Sequence, residues 1–362
     1  MTRPVLIMAG GTGGHVFPAL ALARLLREQS REVIWLGTRR GIEARVVPAD
    51  GFPVEWLSIG GLRGKGALTL LAAPVRLVRA LLEALSVMRR HRPAVVVGLG
   101  GFVSGPGGVA AWLCRRPLVV HEQNAVAGFT NRCLSHLART VLTAFPKVFP
   151  ASTGAIEIGN PVRRDIASLP EPAVRFAARQ GALRVLVVGG SLGAARLNNA
   201  LPDAFAALLK QGVQLEIRHQ AGEKQIDAAR AAYASAQVQA DVTPFIADMA
   251  DAYGWADLIV CRAGALTIAE LAAAGVGALL VPYPHAVDDH QTRNAAWLVD
   301  AGAALHVADH ELTVEHAIAL LAPLCADRVR LLAMAEAARR LARPEATEAL
   351  LRHSLAAAGE DA

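Results

Sequence analysis

The stretch Val5-Leu6-Ile7-Met8-Ala9-Gly10-Gly11-Thr12-Gly13-Gly14-His15-Val16-Phe17-Pro18-Ala19-Leu20 decides how the chain is read. An aliphatic run ends in a glycine loop holding one hydroxyl, and Ala, Leu and Arg then recur at helical spacing as far as Arg27. The pattern predicts strand, tight loop, helix. Glycines let a ligand approach the backbone closely. The first amides of the following helix have no partner inside it and lie at the positive end of its dipole, which favours a bound anion, typically a phosphate. His15 stands on the lip of that loop. The same order returns at Arg184-Val185-Leu186-Val187-Val188-Gly189-Gly190-Ser191-Leu192-Gly193-Ala194-Ala195-Arg196-Leu197-Asn198. Two such starts, each followed by alternating strands and helices, predict two similar α/β domains facing one another, with a ligand between their glycine loops.

Working outward, 362 residues of which 53% are hydrophobic are enough for two cores. The longest uncharged span, Pro93 to Cys114, is broken by six glycines and two prolines, so it reads as strand, loop and helix start and not as a membrane crossing. The apolar run after Pro4 is too short for a signal-peptide core, and a cytoplasmic protein is expected. Cys114, Cys133, Cys261 and Cys325 lie far apart without metal-ligand spacing, which suggests reduced, buried thiols, no metal and no disulfides. A net charge of +6 implies an anionic partner. With only 5% aromatic residues and no RNA-binding or helix-turn-helix signature, nucleic acid is disfavoured against a phosphorylated substrate or an anionic membrane surface.

Glu32–Thr38 and Val54–Ile59 read as further strands. The basic loop from Gly60 to Gly66 lacks the Ser or Thr that must follow Lys in a Walker A loop. From Leu68 to Arg92 a long helix is expected, with Leu71, Val75, Val78, Leu82 and Leu85 at helical spacing and Arg76, Arg79, Arg89, Arg90 and Arg92 alongside. Either its apolar side packs on the sheet under solvated arginines, or basic and apolar residues together meet an anionic membrane surface. Ala94–Pro106 is another strand running into glycines. Leu118–Asn124 is a strand whose end carries His121, Glu122, Gln123 and Asn124, at the carboxyl edge where parallel sheets bind ligands. His121 and Glu122 can equally brace the loop; Asn124 is the stronger ligand candidate. Gly159-Asn160-Pro161-Val162-Arg163 reads as the boundary between domains 1–161 and 162–340. In the second half Leu215–Gln220, Ala256–Cys261 and Ala278–Pro282 are strands, a glycine turn opens a helix reaching Glu270, and Asp288–Asn294 opens another. The Ala- and Arg-rich tail, about 341–362, is long enough to pack back on the first domain.

The dinucleotide fingerprint fails at both loops, because Val16 and Arg196 stand where its third glycine belongs. A rival is the nucleophile elbow: Gly189-Gly190-Ser191-Leu192-Gly193 satisfies Gly-x-Ser-x-Gly between strand and helix, with Asp257 or Asp288 and His290 following in hydrolase order. Thr12 at the corresponding place in the twin loop argues instead that both hydroxyls face phosphate. A third possibility keeps the fold without turnover, as a binding or membrane scaffold protein.

Gly10-Gly11-Thr12-Gly13-Gly14-His15-Val16-Phe17-Pro18, Gly61–Gly66, Gly100-Gly101-Phe102-Val103-Ser104-Gly105-Pro106, His121-Glu122-Gln123-Asn124, Gly159–Arg163, Gly189-Gly190-Ser191 and Arg262-Ala263-Gly264-Ala265-Leu266-Thr267 together carry a resemblance. In order and through nearly the whole chain they resemble the bacterial N-acetylglucosaminyltransferases that make lipid II from lipid I in peptidoglycan synthesis. The resemblance implies an α/β GT-B fold, two Rossmann-like parallel-sheet domains facing across a cleft. It implies UDP-N-acetylglucosamine as donor, undecaprenyl-linked lipid I as acceptor, inversion at the anomeric carbon, and no metal or other cofactor. It also implies peripheral attachment to the cytoplasmic face of the plasma membrane, and leaves room for other cell-wall synthesis proteins as partners. On these residues Glu270 would accept from the ribose hydroxyls, and Ser191 with the Gly189–Gly193 amides would take the diphosphate, partly neutralised by Arg163. Ile246 would read the uracil edge through its backbone with Phe245 stacking nearby, though both suit ordinary core packing. Gln291, His290, Asn124 and the turn Ala265, Leu266 and Thr267 would hold the sugar, and Ile268 and Ala269 would also bind substrate. Thr12, Gly13, Gly14 and His15 are left for the acceptor, His15 as proton acceptor or as a grip on phosphate. Leu192 replaces a Gln often found in the family and Ala263 a Ser, so side-chain contacts from those positions are not carried over.

Overall fold

The structure, a computed structural model, describes residues 3–60, 73–190 and 193–360. It divides into two compact units, residues 1–162 with 343–362, and residues 163–342. In the first, β1 (Val5–Ala9), α1 (Gly13–Glu28), β2 (Val33–Gly37), α2 (Glu43–Ala49) and β3 (Val54–Trp56) lead to α3 (Ala73–His91). Then follow β4 (Val95–Gly100), α4 (Ser104–Leu113), β5 (Leu118–Glu122), α5 (Phe129–Leu134), β6 (Thr140–Thr143) and β7 (Ile156–Glu157). The second unit opens with α6 (Arg164–Ala167), α7 (Pro172–Ala177), β8 (Leu183–Val188), α8 (Ala195–Lys210), β9 (Leu215–Gln220), α9 (Ile226–Ser235) and β10 (Asp241–Thr243). It continues through α10 (Met249–Trp255), β11 (Leu258–Cys261), α11 (Ala265–Ala274), β12 (Gly277–Leu280), α12 (His290–Asp300), β13 (Ala304–His306), α13 (Val314–Cys325) and α14 (Arg328–Arg340). The last helix, α15 (Ala346–Ala358), belongs to the first unit and packs on α1.

Both sheets are parallel, ordered β3-β2-β1-β4-β5-β6-β7 and β10-β9-β8-β11-β12-β13. In each, the chain reverses its direction of travel beside the strand that carries a glycine loop, at β1/β4 and β8/β11, which is where open parallel sheets bind ligands. Because side chains alternate along a strand, Val5, Ile7 and Ala9 pack under α1 and α15, while Leu6 and Met8 pack under α3 and α4. Leu22 and Leu26 of α1 are fully buried, each worth about 1.5–3 kcal/mol. The core therefore anchors strand and helix and leaves the loop between them free for ligand.

The sequence reading missed the short strands β6, β7 and β13, and extended β3 beyond Trp56. Residues of the basic loop and the predicted helix start, including Leu71, fall outside the described residues. In α3 the predicted apolar stripe is not the main packed face: of its described members only Leu85 packs on the core. Ala80, Ala84, Val87 and Met88 are buried, while Val75, Val78 and Leu82 are 72%, 57% and 62% exposed. Small alanines let α3 lie close to the sheet and α4, and this displaces the larger residues outward. The thiols are corrected as well: Cys261 is buried, Cys133 is exposed, and Cys114 and Cys325 are half-buried. Among the described residues no helix is long and apolar enough to cross a membrane.

Candidate active site

In the first unit the loops after β1 and β4 lie against each other. A Cβ on Gly101 (φ +85°) would come within 2.3 Å of the Gly10 carbonyl oxygen, so only glycine allows the approach. The His15 ring rests on Gly100, where an added Cβ would meet Cδ2 at 2.7 Å. Its Nδ1 is 3.5 Å from Thr12 Oγ1, and Thr12, the exposed N-cap of α1, makes no side-chain cap bond. The amides of Gly13 and Gly14 occupy the first two helical positions, which have no intrahelical partner. Gly11 is different. Its N–H donates to Glu43 Oε2 (2.9 Å), and Glu43 Oε1 accepts from Thr38 N (3.0 Å) and Thr38 Oγ1 (2.7 Å). Glu43 is fully buried, and no motif in the sequence reading marked it.

At the end of β5 the bracing reading holds. Glu122 accepts from Asn124 N (3.0 Å), Asn124 Nδ2 (3.2 Å), Gly128 N (3.1 Å) and Asn131 Nδ2 (2.8 Å). His121 is buried and donates from Nε2 to the Gly159 carbonyl (2.9 Å); burial pushes its pKa down to about 4, so it is neutral near pH 7. Asn124 is half-buried and held by Glu122, with its amide near the carboxyl edge.

In the second unit Ser191 and Leu192 lie outside the described residues. Gly193 (φ +76°) closes the turn after β8, with its N–H on the Gly190 carbonyl (3.0 Å). Arg196 and Arg262 flank this end of the sheet and share Asp309: Arg262 Nη1 is 2.6 Å from its Oδ1, and Arg196 Nε 3.8 Å from its Oδ2. Gly264 caps α11, whose first turn directs the amides of Leu266 and Thr267 out of the helix end. Ile268 has its side chain in the core, and its N–H donates to Gly264 O (2.9 Å). Ala265 is buried, and Ala269 half-buried.

One turn further, Glu270 is 8% exposed. Its Oε2 accepts from Tyr253 Oη (3.0 Å), and its Oε1 lies 3.7 Å from Arg163 Nη2. Burial pushes its pKa up to about 7, against the pull of Arg163 and of the Tyr253 hydroxyl. A buried carboxylate with one hydrogen bond and one long ion pair retains acceptor capacity for a ligand's hydroxyls. Tyr253, on α10, was missed by the sequence reading, because nothing in Ala252-Tyr253-Gly254 separates it from a core tyrosine. Gln291, in the first turn of α12, accepts from Tyr283 N (2.8 Å) through Oε1. Just before it Asp288 and Asp289 both adopt left-handed backbone (φ 54° and 50°), strain of a kind concentrated at functional sites. Ile246 is half-buried and Phe245 59% exposed, so core packing does not account for Phe245.

The hydrolase triad is not assembled. Asp257 is fully buried at the start of β11, the wrong end of the strand, and is neutralised by Arg179 Nη1 (2.7 Å), Arg328 Nη1 (3.3 Å) and the Arg184 amide (3.0 Å). His290 donates from Nδ1 to the Val287 carbonyl (2.6 Å), which leaves no Nδ1–H for an aspartate to orient.

Two glycine loops at the switch points of two parallel sheets, with a buried, under-satisfied carboxylate in the second unit, are the architecture of nucleotide-sugar glycosyltransferases. The crystal structure of Acinetobacter baumannii MurG superposes with a TM-score of 0.86 at 45% identity, over 97% of this chain and 99% of that one. The calicheamicin glycosyltransferase CalG4 superposes with a TM-score of 0.69 at 18% identity, a likeness of fold alone. The chain belongs to glycosyltransferase family 28, whose N-terminal domain matches residues 5–143 and whose C-terminal domain matches residues 184–350. It is 58% identical, over 98% of both chains, to the UDP-N-acetylglucosamine–N-acetylmuramyl-(pentapeptide) pyrophosphoryl-undecaprenol N-acetylglucosamine transferase of Marinobacter nauticus. Identity to the protein of that name in Alkalilimnicola ehrlichii is 57%, over 97% of this chain and 98% of that one.

Proposed function

We propose that this chain transfers N-acetylglucosamine from UDP-N-acetylglucosamine to the muramoyl C4 hydroxyl of undecaprenyl-linked lipid I, with inversion, giving lipid II. The observation that carries this reading is the 58% full-length identity to a transferase of that name. The second unit takes the donor. Glu270 accepts from the ribose hydroxyls, the β8 loop with Ser191 and the first turn of α11 receive the diphosphate, and Ile246 meets the uracil beside Phe245. Gln291 holds the sugar. As the anomeric bond breaks, negative charge grows on UDP; Arg163 and the amides of Leu266 and Thr267 are fixed donors for it, which is how a preorganised site lowers such a barrier. The first unit takes the acceptor, with its diphosphate at Thr12, Gly13 and Gly14 and its hydroxyl at His15.

The exposed Val75, Val78 and Leu82 with the arginines of α3 favour a peripheral position on an anionic membrane, on the cytoplasmic face where the nucleotide donor is found. The test is turnover of radiolabelled UDP-N-acetylglucosamine with a lipid I analogue. Labelled product is expected; none, where the Acinetobacter baumannii protein turns over the same mixture, overturns the reading.

A further inference from the structure

The last carbonyls of a helix have no amide partner inside it and lie at the negative end of its dipole, so a buried helix end calls for cationic donors. In the second unit α10 and α11 pack against each other, and three arginines meet their C-terminal ends. Arg179, just past α7, donates to the carbonyls of Gly254 and Trp255 and pairs with Asp257 (2.7 Å). Arg339, on α14, donates to the carbonyls of Ala273 and Leu169 (3.1 Å) and to Glu171 (3.2 Å). Of the three, only Arg175 on α7 reaches both helices. Its Nη1 donates to the Tyr253 carbonyl (3.3 Å), its Nη2 to the carbonyls of Ala274 (2.6 Å) and Gly275, and its Nε to that of Pro170 (3.1 Å). Gly275 has left-handed backbone (φ +62°), and a Cβ there would come within 2.7 Å of Pro172 Cγ, so α7 sits as close to the end of α11 as a glycine allows.

Arg175 is 8% exposed, and burial with the charges of Arg179 and Arg339 lowers its pKa to about 10, so it remains a cation at neutral pH. The two helices it spans carry the pair that bears on the donor. Tyr253, whose carbonyl it takes, donates its hydroxyl to Glu270 Oε2 (3.0 Å), and Ala274 stands one turn beyond Glu270 on α11. One planar, rigid guanidinium therefore ties the backbone of the hydroxyl donor to the backbone of its acceptor. Glu270 is also faced by Arg163 and Asp165 at the start of α6 and by Cys261 at the end of β11. Arg175 grips none of these three; its hold on the surroundings of Glu270 runs through Tyr253.

We propose that Arg175 is a positioning residue for the donor site: by tying the end of α10 to the end of α11 it sets the reach from the Tyr253 hydroxyl to Glu270, and so the state in which that carboxylate meets the ribose. Such a role rests on the reading of Glu270 as acceptor of the ribose hydroxyls.

The full chain is titrated calorimetrically with UDP-N-acetylglucosamine at a series of pH values across the Glu270 pKa of about 7. Lysine in place of Arg175 keeps a charge for one helix end but cannot fork to both. Arg175→Lys should weaken donor binding about three- to tenfold near that pKa and move the pH midpoint of binding upward, because the Tyr253 bond that favours the ionised carboxylate is loosened. In that background a further Tyr253→Phe should cost less than about twofold, against about three- to tenfold in the wild type, since both changes break one interaction. Arg339→Lys, which loosens the end of α11 alone, should lower stability in urea and leave the midpoint where it is. An Arg175→Lys protein that unfolds more readily in urea yet binds the donor with wild-type affinity and midpoint overturns the proposal, because the arginine is then a structural clamp. So does a Tyr253→Phe cost that is equal in both backgrounds, or a midpoint that Arg339→Lys moves as far. If Arg175→Lys does not fold, amide exchange in the wild type decides: donor binding should protect the last turns of α10 and α11 together, and protection confined to α11 overturns the role. Glu270→Gln separates the two readings. Wild-type donor affinity in that variant removes the ribose reading and the role of Arg175 with it, whereas a loss there beside an unchanged Arg175→Lys leaves the ribose reading standing and overturns the role of Arg175 alone.

Discussion

The two units share a strand order and a glycine loop after the first strand, but each buries a carboxylate to opposite effect. Glu43 has no exposure and accepts three hydrogen bonds from Gly11 and Thr38, so it is saturated and fixes the loop from within. Glu270 is nearly as buried, yet has one hydrogen bond from Tyr253 and an ion pair stretched to 3.7 Å. A satisfied buried charge is architecture; an under-satisfied one is a place where a ligand supplies the missing donors. On this comparison the first unit holds the loop that carries His15 from within, and the second leaves a carboxylate open to further donors, as the proposed acceptor and donor roles require.

The largest effect is expected at His15, the chemical counterpart that the comparison assigns to the first loop. His15→Ala should lower turnover by about 10²- to 10⁴-fold if the imidazole takes the acceptor proton, with the donor KM nearly unchanged. If it only grips phosphate, the loss appears as a raised acceptor KM instead. Turnover within about tenfold of wild type at saturating acceptor removes His15 from the chemistry. Next comes the saturated carboxylate. Glu43→Ala strands two buried donors on Thr38 and a part-buried one on Gly11, and should destabilise the first unit by about 3–5 kcal/mol in urea unfolding, with donor affinity untouched. A loss below about 1 kcal/mol would mean that the loop does not depend on Glu43.

What could be seen in the sequence was local. Val5–Leu20 and Arg184–Asn198 announce strand, loop and helix because the aliphatic run, the glycines and the helical spacing are adjacent in the chain. The decisive contacts are not adjacent: Glu43 meets Gly11 across 32 residues, Tyr253 meets Glu270 across 17, and Arg179 meets Asp257 across 78. Glu43, Tyr253 and Arg179 each have an unremarkable neighbourhood in the sequence. In α3 the periodicity was legible but its direction was not, because the helix carries two apolar stripes and only packing decides that the alanine-bearing one goes inward. Glu270 itself was legible only through the family resemblance; its raised pKa comes from burial, which spacing does not reveal.

That pKa sharpens the comparison through stability. An acid raised in the folded state, here from 4.5 to about 7, favours folding only while protonated. Its contribution is complete below about pH 4.5 and is lost as pH rises through about 7. At pH 8 the ionised Glu270 therefore strains the second unit, and Glu270→Gln should stabilise it by up to about 3 kcal/mol there, with little change at pH 4.5. The same variant should bind UDP-N-acetylglucosamine about tenfold or more weakly, because an amide replaces a charged acceptor. Equal stability changes at both pH values would show that Glu270 is not strained.

The smallest effect isolates the hydroxyl that half-satisfies Glu270. Tyr253 is buried, and its Oη–H donates to the carboxylate, which favours the ionised form; Arg163 acts in the same direction, while Asp165 opposes it, and Cys261 also lies in the field of Glu270. Removing the hydroxyl by Tyr253→Phe keeps the ring and should raise the Glu270 pKa further above about 7. Ribose hydroxyls donate best to the ionised carboxylate, so donor affinity should fall as pH drops through that pKa, and the fall should begin at a higher pH in the variant. Near pH 7 this amounts to a loss of about three- to tenfold, fading towards wild type by about pH 9. The titration should use UDP-N-acetylglucosamine and not UDP, because a terminal phosphate has its own proton near pH 6 and would blur the midpoint. A loss that is the same at every pH would make Tyr253 a packing residue only, and would leave the openness of Glu270 to its long ion pair with Arg163.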